Sequence, residues 1–504
     1  MRLTMLLDMA ADGFGERVVV GRRADGITAA ALRIRALAGA QLLRHAGATA
    51  LVYLSPNGPE FPVAMFAAAY AGIPLVPLNY RLGTEQLESL LAKHPGAVGI
   101  GDAIGVRHLS GAGLVAHPVA RWMEMTADQR ELCSEQERLD DGPAVVIYTS
   151  GTTSEPKGVL LRHSNLVSYV LGSVEYMNAA ADDAALVSVP PYHIAAVANV
   201  ISNLYAGRRT IVLEQFDPHR WLATVREEEV TNALVVPTML ARVVEAVHHG
   251  NTEPAVPTLR SLAYGGAPMP RAVIEKALAL WPHVGFVNAY GLTETSSTIA
   301  VLGPEDHRAA LTSEHPQVRA RLSSAGKVLP TVELEIRDHT GAALPAGVPG
   351  RICVKGDQVS AEYAGIGRAV DGDGFFDTRD EGYLDEEGYL YIGGRVDDTI
   401  IRGAENIAPA EIEEVLLRHP DIVDAAVIGV PDEEWGQRIE AAVVSRAGTF
   451  PTDDELREFV LRSLRSSKSP ERFWFWAELP RTDTGKLVRR NVLANILATI
   501  DDSR

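Results

Sequence analysis

Between Tyr148 and Gly158 the chain reads YTSGTTSEPKG, which gathers hydroxyls, glycines and a lysine into one short run. Those residue types suit the holding of phosphate. Gly151 and Gly158 admit backbone close to an anion, Ser150, Thr152, Thr153 and Ser154 offer hydroxyl donors, and Lys157 adds a positive charge. The spacing is not that of a Walker A loop, which needs Ser or Thr straight after its lysine to meet magnesium; Gly158 stands there instead. Such residues also make ordinary polar turns. The approach to the run adds information: Ala144 to Ile147 is short, β-branched and apolar, and predicts a buried strand that delivers the loop to a sheet edge.

A second constellation, NAYGLTETSS from Asn288 to Ser297, follows the apolar VGFV. Tyr290 can stack on a base, Gly291 allows close approach, Thr293 can bond phosphate and Glu294 can hold magnesium as a hard oxygen ligand. Taken alone, Glu294 reads as a solvated carboxylate rather than a ligand. AYGGAPMP, from Ala263 to Pro270, is a small-residue turn whose backbone could meet a planar base, or simply a turn. Near the end, LPRTDTGKLVRR presents Lys486 behind a glycine. Arg395 and Asp397 lie in GGRVDDTIIRGAEN, where a hinge could absorb backbone rotation.

These residues need a frame to position them, and the first 140 residues show its rhythm. ITAAALRIRALAGAQLLRH has a helical pattern, whereas TALVYLS and IPLVPL are strand-like. ALVSVP, RTIVLEQ and NALVVP continue the alternation, so one large α/β region extends to about residue 394. Around this border the texture changes, with DEGYLDEEGYLYIGGRVDDTII dense in Gly and Asp. A compact mixed unit follows. In it, PAEIEEVLLRH and DELREFVLRSL read as helices, the first with Pro409 at an early helical position, and DAAVIGV and RIEAAVV read as strands.

The 504 residues, 46% of them hydrophobic, suffice for two domains with an extensive core. No apolar stretch approaches the roughly 20 residues of a membrane helix, and the N-terminus turns acidic before a signal core is complete, which predicts a cytoplasmic protein without stable membrane insertion. The net charge of -18 disfavours nucleic acid as a partner. Cys133 and Cys353, far apart in sequence, make neither a disulfide framework nor a metal knuckle. A small ligand is expected.

In chain order, YTSGTTSEPKG, PPYH, YGGAPMP, NAYGLTE, FFDTRDEGYLDEEGYLYIGGRVDD, GAENIAPAEIE and PRTDTGK resemble the motif series of the adenylate-forming enzymes, the acyl-CoA synthetase and luciferase superfamily. The resemblance spans nearly the whole chain. It implies an α/β fold with a large multi-sheet N-terminal domain (1–394) and a small mobile α+β C-terminal domain (395–504). It also implies ATP, Mg2+ and CoA as cofactors and co-substrates, a small carboxylic acid as substrate, and a place in fatty acid metabolism. Thr149, Ser150, Gly151, Thr152, Thr153, Ser154 and Lys157 would hold the β- and γ-phosphates, with Thr293 and Glu294 serving phosphate and metal. Gly266, Ala267, Pro268, Asn288, Ala289, Tyr290 and Gly291 would enclose adenine, and Asp380, Ile392 and Arg395 the ribose side. Lys486 would bridge the α-phosphate and the substrate carboxylate. After rotation about Asp397, Arg402, Gly403, Ala404 and Glu405 would enter to serve CoA. Tyr192, His193, Ala198, Gly265 and Leu292 would line the acyl pocket, with His193 as its gate.

Two positions depart from the family pattern: Ser154 and Arg379 stand where glycine is usual. Ser154 restricts positive φ and Arg379 adds a bulky cation beside the nucleotide. The leading expectation is an acid–CoA ligase for an apolar monocarboxylate. An enzyme passing its adenylate to a carrier protein, an amine or another small nucleophile is the alternative in the same chemistry, and a non-catalytic nucleotide-binding homologue is the alternative of another class. Retention of Lys157, Glu294, Asp380, Arg395 and Lys486 together argues against the last.

Overall fold

The computed structural model describes the chain except residues 128–141, 150–155, 249, 251–252, 396–397, 403–404, 433–434, 483–484 and 502–504. Ser150, Gly151, Thr152, Thr153 and Ser154, the hinge candidate Asp397, Gly403, Ala404 and Cys133 therefore lie outside the described residues, as does the side chain of Glu405.

Among the described residues there are two large sheets, one 13-stranded and one 8-stranded, and a 3-stranded sheet with a 2-stranded ribbon near the C-terminus. The predicted helix ITAAALRIRALAGAQLLRH forms as Ala29–His45, started by Thr28, whose hydroxyl accepts from the Ala31 amide. Helix Glu60–Ala71 is buried all round, which its Ala-rich composition allows, and ends at Gly72 in the left-handed region. The main core joins both of these helices to the parallel strands.

In the 13-stranded sheet, Ala184–Val187, Asn232–Val235, Ser261–Gly265 and Gly285–Leu292 lie side by side and parallel. Ser297–Leu302 then pairs antiparallel with Gly285–Leu292. The pattern thus changes at the strand carrying NAYGL, and the segments VPPYH, VPTML, GAPMP and TET all leave carboxyl ends of neighbouring parallel strands. Open α/β sheets bind ligands beyond that edge.

One local expectation changes. The strand leading to the phosphate loop is Pro143–Thr149, and it returns as Lys157–Arg162 in antiparallel register, Thr149 opposite Lys157. It lies inside the 8-stranded sheet, not at its edge, because Leu75–Pro77 pairs on its other side. NAYGL forms the end of the strand that begins with GFV, Gly285–Leu292. The Gly- and Asp-rich border segment is a hairpin of the large sheet, Phe376–Leu384 against Tyr389–Arg395, its glycines allowing bulges and close strand contact.

The smaller C-terminal unit contains the expected helices Pro409–Leu416 and Asp453–Leu461 and strands Ile422–Asp432 and Gly436–Ser445. It buries its own apolar cluster around Ile412, Val427, Ala441 and Phe473. No described helix is long and apolar enough to cross a membrane.

Candidate active site

Asp380 and Arg395 stand on paired strands. Asp380 sits opposite Arg395 in the hairpin register, and the Arg395 Nε lies 3.6 Å from Asp380 Oδ1. Asp380 is only 7% exposed. The Tyr290 hydroxyl donates to Asp380 Oδ2 at 2.7 Å, and the Asp380 amide donates to Thr378 Oγ1 at 3.1 Å. Burial raises the Asp380 pKa, opposed by Arg395, by the Tyr290 hydrogen bond and by Lys486. A carboxylate so held has fixed lone pairs, the arrangement needed to accept from a diol.

Glu294 is anchored at both its backbone and its side chain. The Glu294 carbonyl accepts from the amides of Ser360 and Ala361, while its Oε1 accepts from the Tyr363 hydroxyl at 2.9 Å. Lys157 Nζ stands 5.9 Å from the centroid of the same Tyr363 ring. Among the described residues no group of three or more His, Cys, Asp or Glu side chains could hold a metal. One oriented carboxylate fits Mg2+, which keeps much of its shell for water and substrate phosphates.

Lys486 arrives from the C-terminal unit. Its turn is closed by Thr482 N to Lys486 O at 2.8 Å and by Arg481 Nη1 to Gly485 O at 2.7 Å. Gly485, at φ +78°, approaches so closely that an added Cβ would lie 2.1 Å from Thr238 Oγ1, at the carboxyl end of Asn232–Val235. Lys486 is exposed, yet the surrounding protein and the Arg395 charge lower its pKa, against the pull of Asp380, Asp398 and Glu294. Lys486, Arg395, Asp380 and Glu294 therefore share one electrostatic neighbourhood, although they come from three separated segments.

The remaining expected residues are distributed around this core. Gly265 ends its strand opposite Ala289, and Gly266 at φ +83° turns the chain into Ala267 and Pro268. Asn288 Nδ2 donates to the Ser324 carbonyl at 3.0 Å. Leu292, Tyr290 and Ile392 pack on one apolar cluster, and Thr293 opens a single helical turn, Thr293–Thr295. His193 precedes helix Ile194–Ala206, its ring 4.6 Å from that of Tyr192, which in turn meets Tyr80. Ala198 belongs to the main core at 2% exposure, one layer behind the strand edge. Arg402 is engaged within the C-terminal unit, donating to the Ser467 carbonyl and Glu471 and lying over Trp435.

Gly291 is required for a different reason from the one its motif suggests: a Cβ there would lie 1.9 Å from the Ser297 carbonyl oxygen, so the glycine admits the neighbouring strand rather than a ligand. Tyr363, Thr378 and Thr238 escaped sequence reading. Tyr363 is 69 residues from the Glu294 it orients, and no local pattern joins them.

The comparisons agree with this geometry. The model of the AMP-binding enzyme family matches residues 7–364, and that of the AMP-binding enzyme C-terminal domain matches residues 411–486. A fatty acid–[acyl-carrier-protein] ligase, ScoC, of Streptomyces coeruleorubidus is 31% identical over 462 residues, covering 88% of this chain and 86% of that protein. A feruloyl-CoA synthase of an Amycolatopsis species is 34% identical over 449 residues, 88% of each. The o-succinylbenzoate CoA synthetase (MenE) of Bacillus subtilis, solved with its acyl-adenylate intermediate, matches with a TM-score of 0.83 at 28% identity over 97% of each chain. With one fold along its whole length and its motifs converging on one strand edge, the chain belongs to the AMP-binding enzyme family, the adenylate-forming enzymes.

Proposed function

We propose that the chain is an ATP-dependent, AMP-forming acid–CoA ligase whose acid is an apolar monocarboxylate. The observation that carries the reading is the convergence of Lys486, Arg395, Asp380 and Glu294: Glu294 follows the carboxyl end of Gly285–Leu292, and the hairpin pair Asp380 and Arg395 is tied to that strand through Tyr290. In the first half-reaction a carboxylate oxygen bonds to the α-phosphorus of ATP and the bond to pyrophosphate breaks. Lys486 lies between the two anions and neutralises charge that accumulates as they meet. Asp380 and Arg395 take the ribose hydroxyls, Ile392 packs behind them, and the turn from Gly266 to Pro268 with Asn288, Ala289 and Tyr290 encloses adenine. Thr149, Lys157 and Thr293 serve the phosphates, and Glu294 holds Mg2+, which supplies charge neutralisation there. MenE has also been solved with ATP and a magnesium ion.

In the second half-reaction the CoA sulfur bonds to the acyl carbon, the bond to AMP breaks and the thiol proton departs. We assign Arg402 and its neighbours to this step, after rotation at Asp397 with the domain border at 394/395, and place the enzyme in the cytoplasm. Tyr192, His193, Gly265 and Leu292 form the acyl wall, with Ala198 behind it. The segments around that wall contain no Arg or Lys to pair a second carboxylate, and burying an unpaired charge costs at least several kcal/mol.

ScoC supports a carrier protein as the other acyl acceptor. Pyrophosphate release across butyrate, octanoate, benzoate, cinnamate, malonate and phenylalanine, with CoA, holo carrier protein or neither, separates the readings. The expected result is turnover with apolar acids and thioester only with CoA. Preference for malonate or phenylalanine overturns the acid class, product only with carrier protein overturns the acceptor, and no release with any acid removes the catalytic reading.

A further inference from the structure

The chain passes from the 13-stranded sheet to the 8-stranded one between strands Gly350–Lys355 and Glu362–Tyr363, and Gln358 lies in that crossing, 1% exposed. Its side-chain amide is fully engaged. Gln358 Nε2 donates to the Thr295 carbonyl at 3.1 Å and to the Thr298 carbonyl at 2.8 Å, and the Thr331 hydroxyl reaches Gln358 Oε1 at 3.4 Å. Two carbonyl partners require the nitrogen on that side, because only the NH2 group can donate. The two carbonyls bracket Ser296 at φ +57° and Ser297 at φ +115°, successive non-glycine residues in the region that favours glycine. Such backbone is costly and persists only where its surroundings over-determine it. The Thr295 hydroxyl adds a clamp from within, accepting from the Leu292 amide at 3.0 Å and donating to the Ser297 carbonyl at 2.7 Å.

Just before Ser296 stands the single turn Thr293–Thr295, which carries Glu294. The crossing segment grips that turn as well, through the Ser360 and Ala361 amides on the Glu294 carbonyl and the Tyr363 hydroxyl on its carboxylate. Its other side is bonded to the strand that begins at Lys157. There the Ala364 amide donates to the Gly158 carbonyl at 2.8 Å, Ser360 Oγ donates to the Leu160 carbonyl, and Arg162 meets Glu362 through two bonds of 2.8 and 2.9 Å. One strap therefore holds both the Glu294 turn and the Lys157 strand, and within it Gln358 fixes the exit of the turn. We propose that Gln358 is a positioning residue for adenylation, holding through the Thr295 and Thr298 carbonyls the turn that presents Thr293 and Glu294 to phosphate and Mg2+. This rests on the roles proposed above for Thr293 and Glu294.

The test compares full-length wild type, Gln358→Met and Gln358→Glu by calorimetry of ATP binding in Mg2+ and in EDTA, of adenosine binding, and by the rates of both half-reactions. Met is close to Gln in size but donates nothing. Losing a partner that orients a metal ligand weakens metal binding or activity by roughly 10- to 100-fold, so Gln358→Met should lose about tenfold of the ATP affinity gained with Mg2+ and slow adenylation by on the order of 10- to 100-fold. Adenosine affinity and thioester formation from a supplied acyl adenylate should stay near wild type. Gln358→Glu keeps the shape with at most one donor, so it should show the same pattern and carries the test if Gln358→Met does not fold. A lower thermal midpoint with the Mg2+ gain intact would show a structural role only and overturn the assignment. So would ATP binding, adenosine binding and thioester formation all weakening together. Either result leaves the ligase reading standing; a wild type whose ATP affinity gains nothing from Mg2+ removes the metal role of Glu294 and this inference with it.

Discussion

The ribose side of the cleft and the Lys486 turn reach the same point by opposite means. Tyr290, Thr378, Asp380 and Arg395 stand on strands of one sheet: Asp380 pairs with Arg395 in the hairpin, bonds Thr378 of its own strand at 3.1 Å and accepts from Tyr290, on a strand further along the sheet, at 2.7 Å. Lys486 comes from a unit with its own core, and it is internally braced: Arg489 links Asp398 to Glu413 and to the Val427 carbonyl. Among the described residues, that unit meets the large region near the cleft at Gly485 against Thr238 and through Thr399 Oγ1 to Glu381 Oε2 at 3.3 Å. On the function proposed above, a preorganised wall would bind nucleotide at little ordering cost, and a unit with its own core would let Lys486 be withdrawn without unfolding either part.

The largest expected effect lies on the Lys486 side. Lys486→Ala should lower pyrophosphate release by on the order of 10²- to 10³-fold while largely sparing thioester formation from a supplied acyl adenylate. Equal loss in both half-reactions would erase the contrast. Gly485→Val places a side chain where Thr238 already stands, so adenylation should fall by roughly 10- to 100-fold through misplacement of the ammonium. Thr238→Gly in the same chain should recover part of the rate; no recovery would mean that the turn, not the contact, was damaged.

On the fixed wall, Asp380→Asn keeps the shape and an acceptor for Tyr290 but loses the charge. ATP KM should rise about tenfold with acid KM unchanged, and a change in acid KM instead would remove Asp380 from the nucleotide side. The pH profile separates the regions again. Because the Lys486 pKa lies below that of an ordinary lysine, its charge is lost as pH rises through that lowered value. Adenylation should decline on an alkaline limb that the thioester step lacks; a limb shared by both steps belongs to another group. The smallest effect is that of Thr399→Val, which removes one contact across the border and should slow adenylation by about two- to threefold, read by single-turnover rates. An unchanged rate would leave Gly485 and Thr238 as the docking contact that matters.

Much of this was legible without coordinates where chemistry is carried by contiguous residues. The helix and strand patterns of the C-terminal unit, Pro409 at its helix start, and the motifs around Lys157, Asn288 to Glu294 and Lys486 depend on local propensity and residue type, which short sequence windows contain. What tertiary structure decided was adjacency. Gly291 looked like room for a ligand and is room for the Ser297 carbonyl; Glu294 looked solvated and is oriented by Tyr363. Arg379 looked like a simple substitution for glycine and is a left-handed bulge that aims Asp380. Sequence alone determined which groups the chain possesses, because side-chain chemistry is intrinsic to each residue. Only the folded sheets decided which of those groups meet, because bulge, register and the approach of one strand to another arise from contacts between residues far apart in the chain.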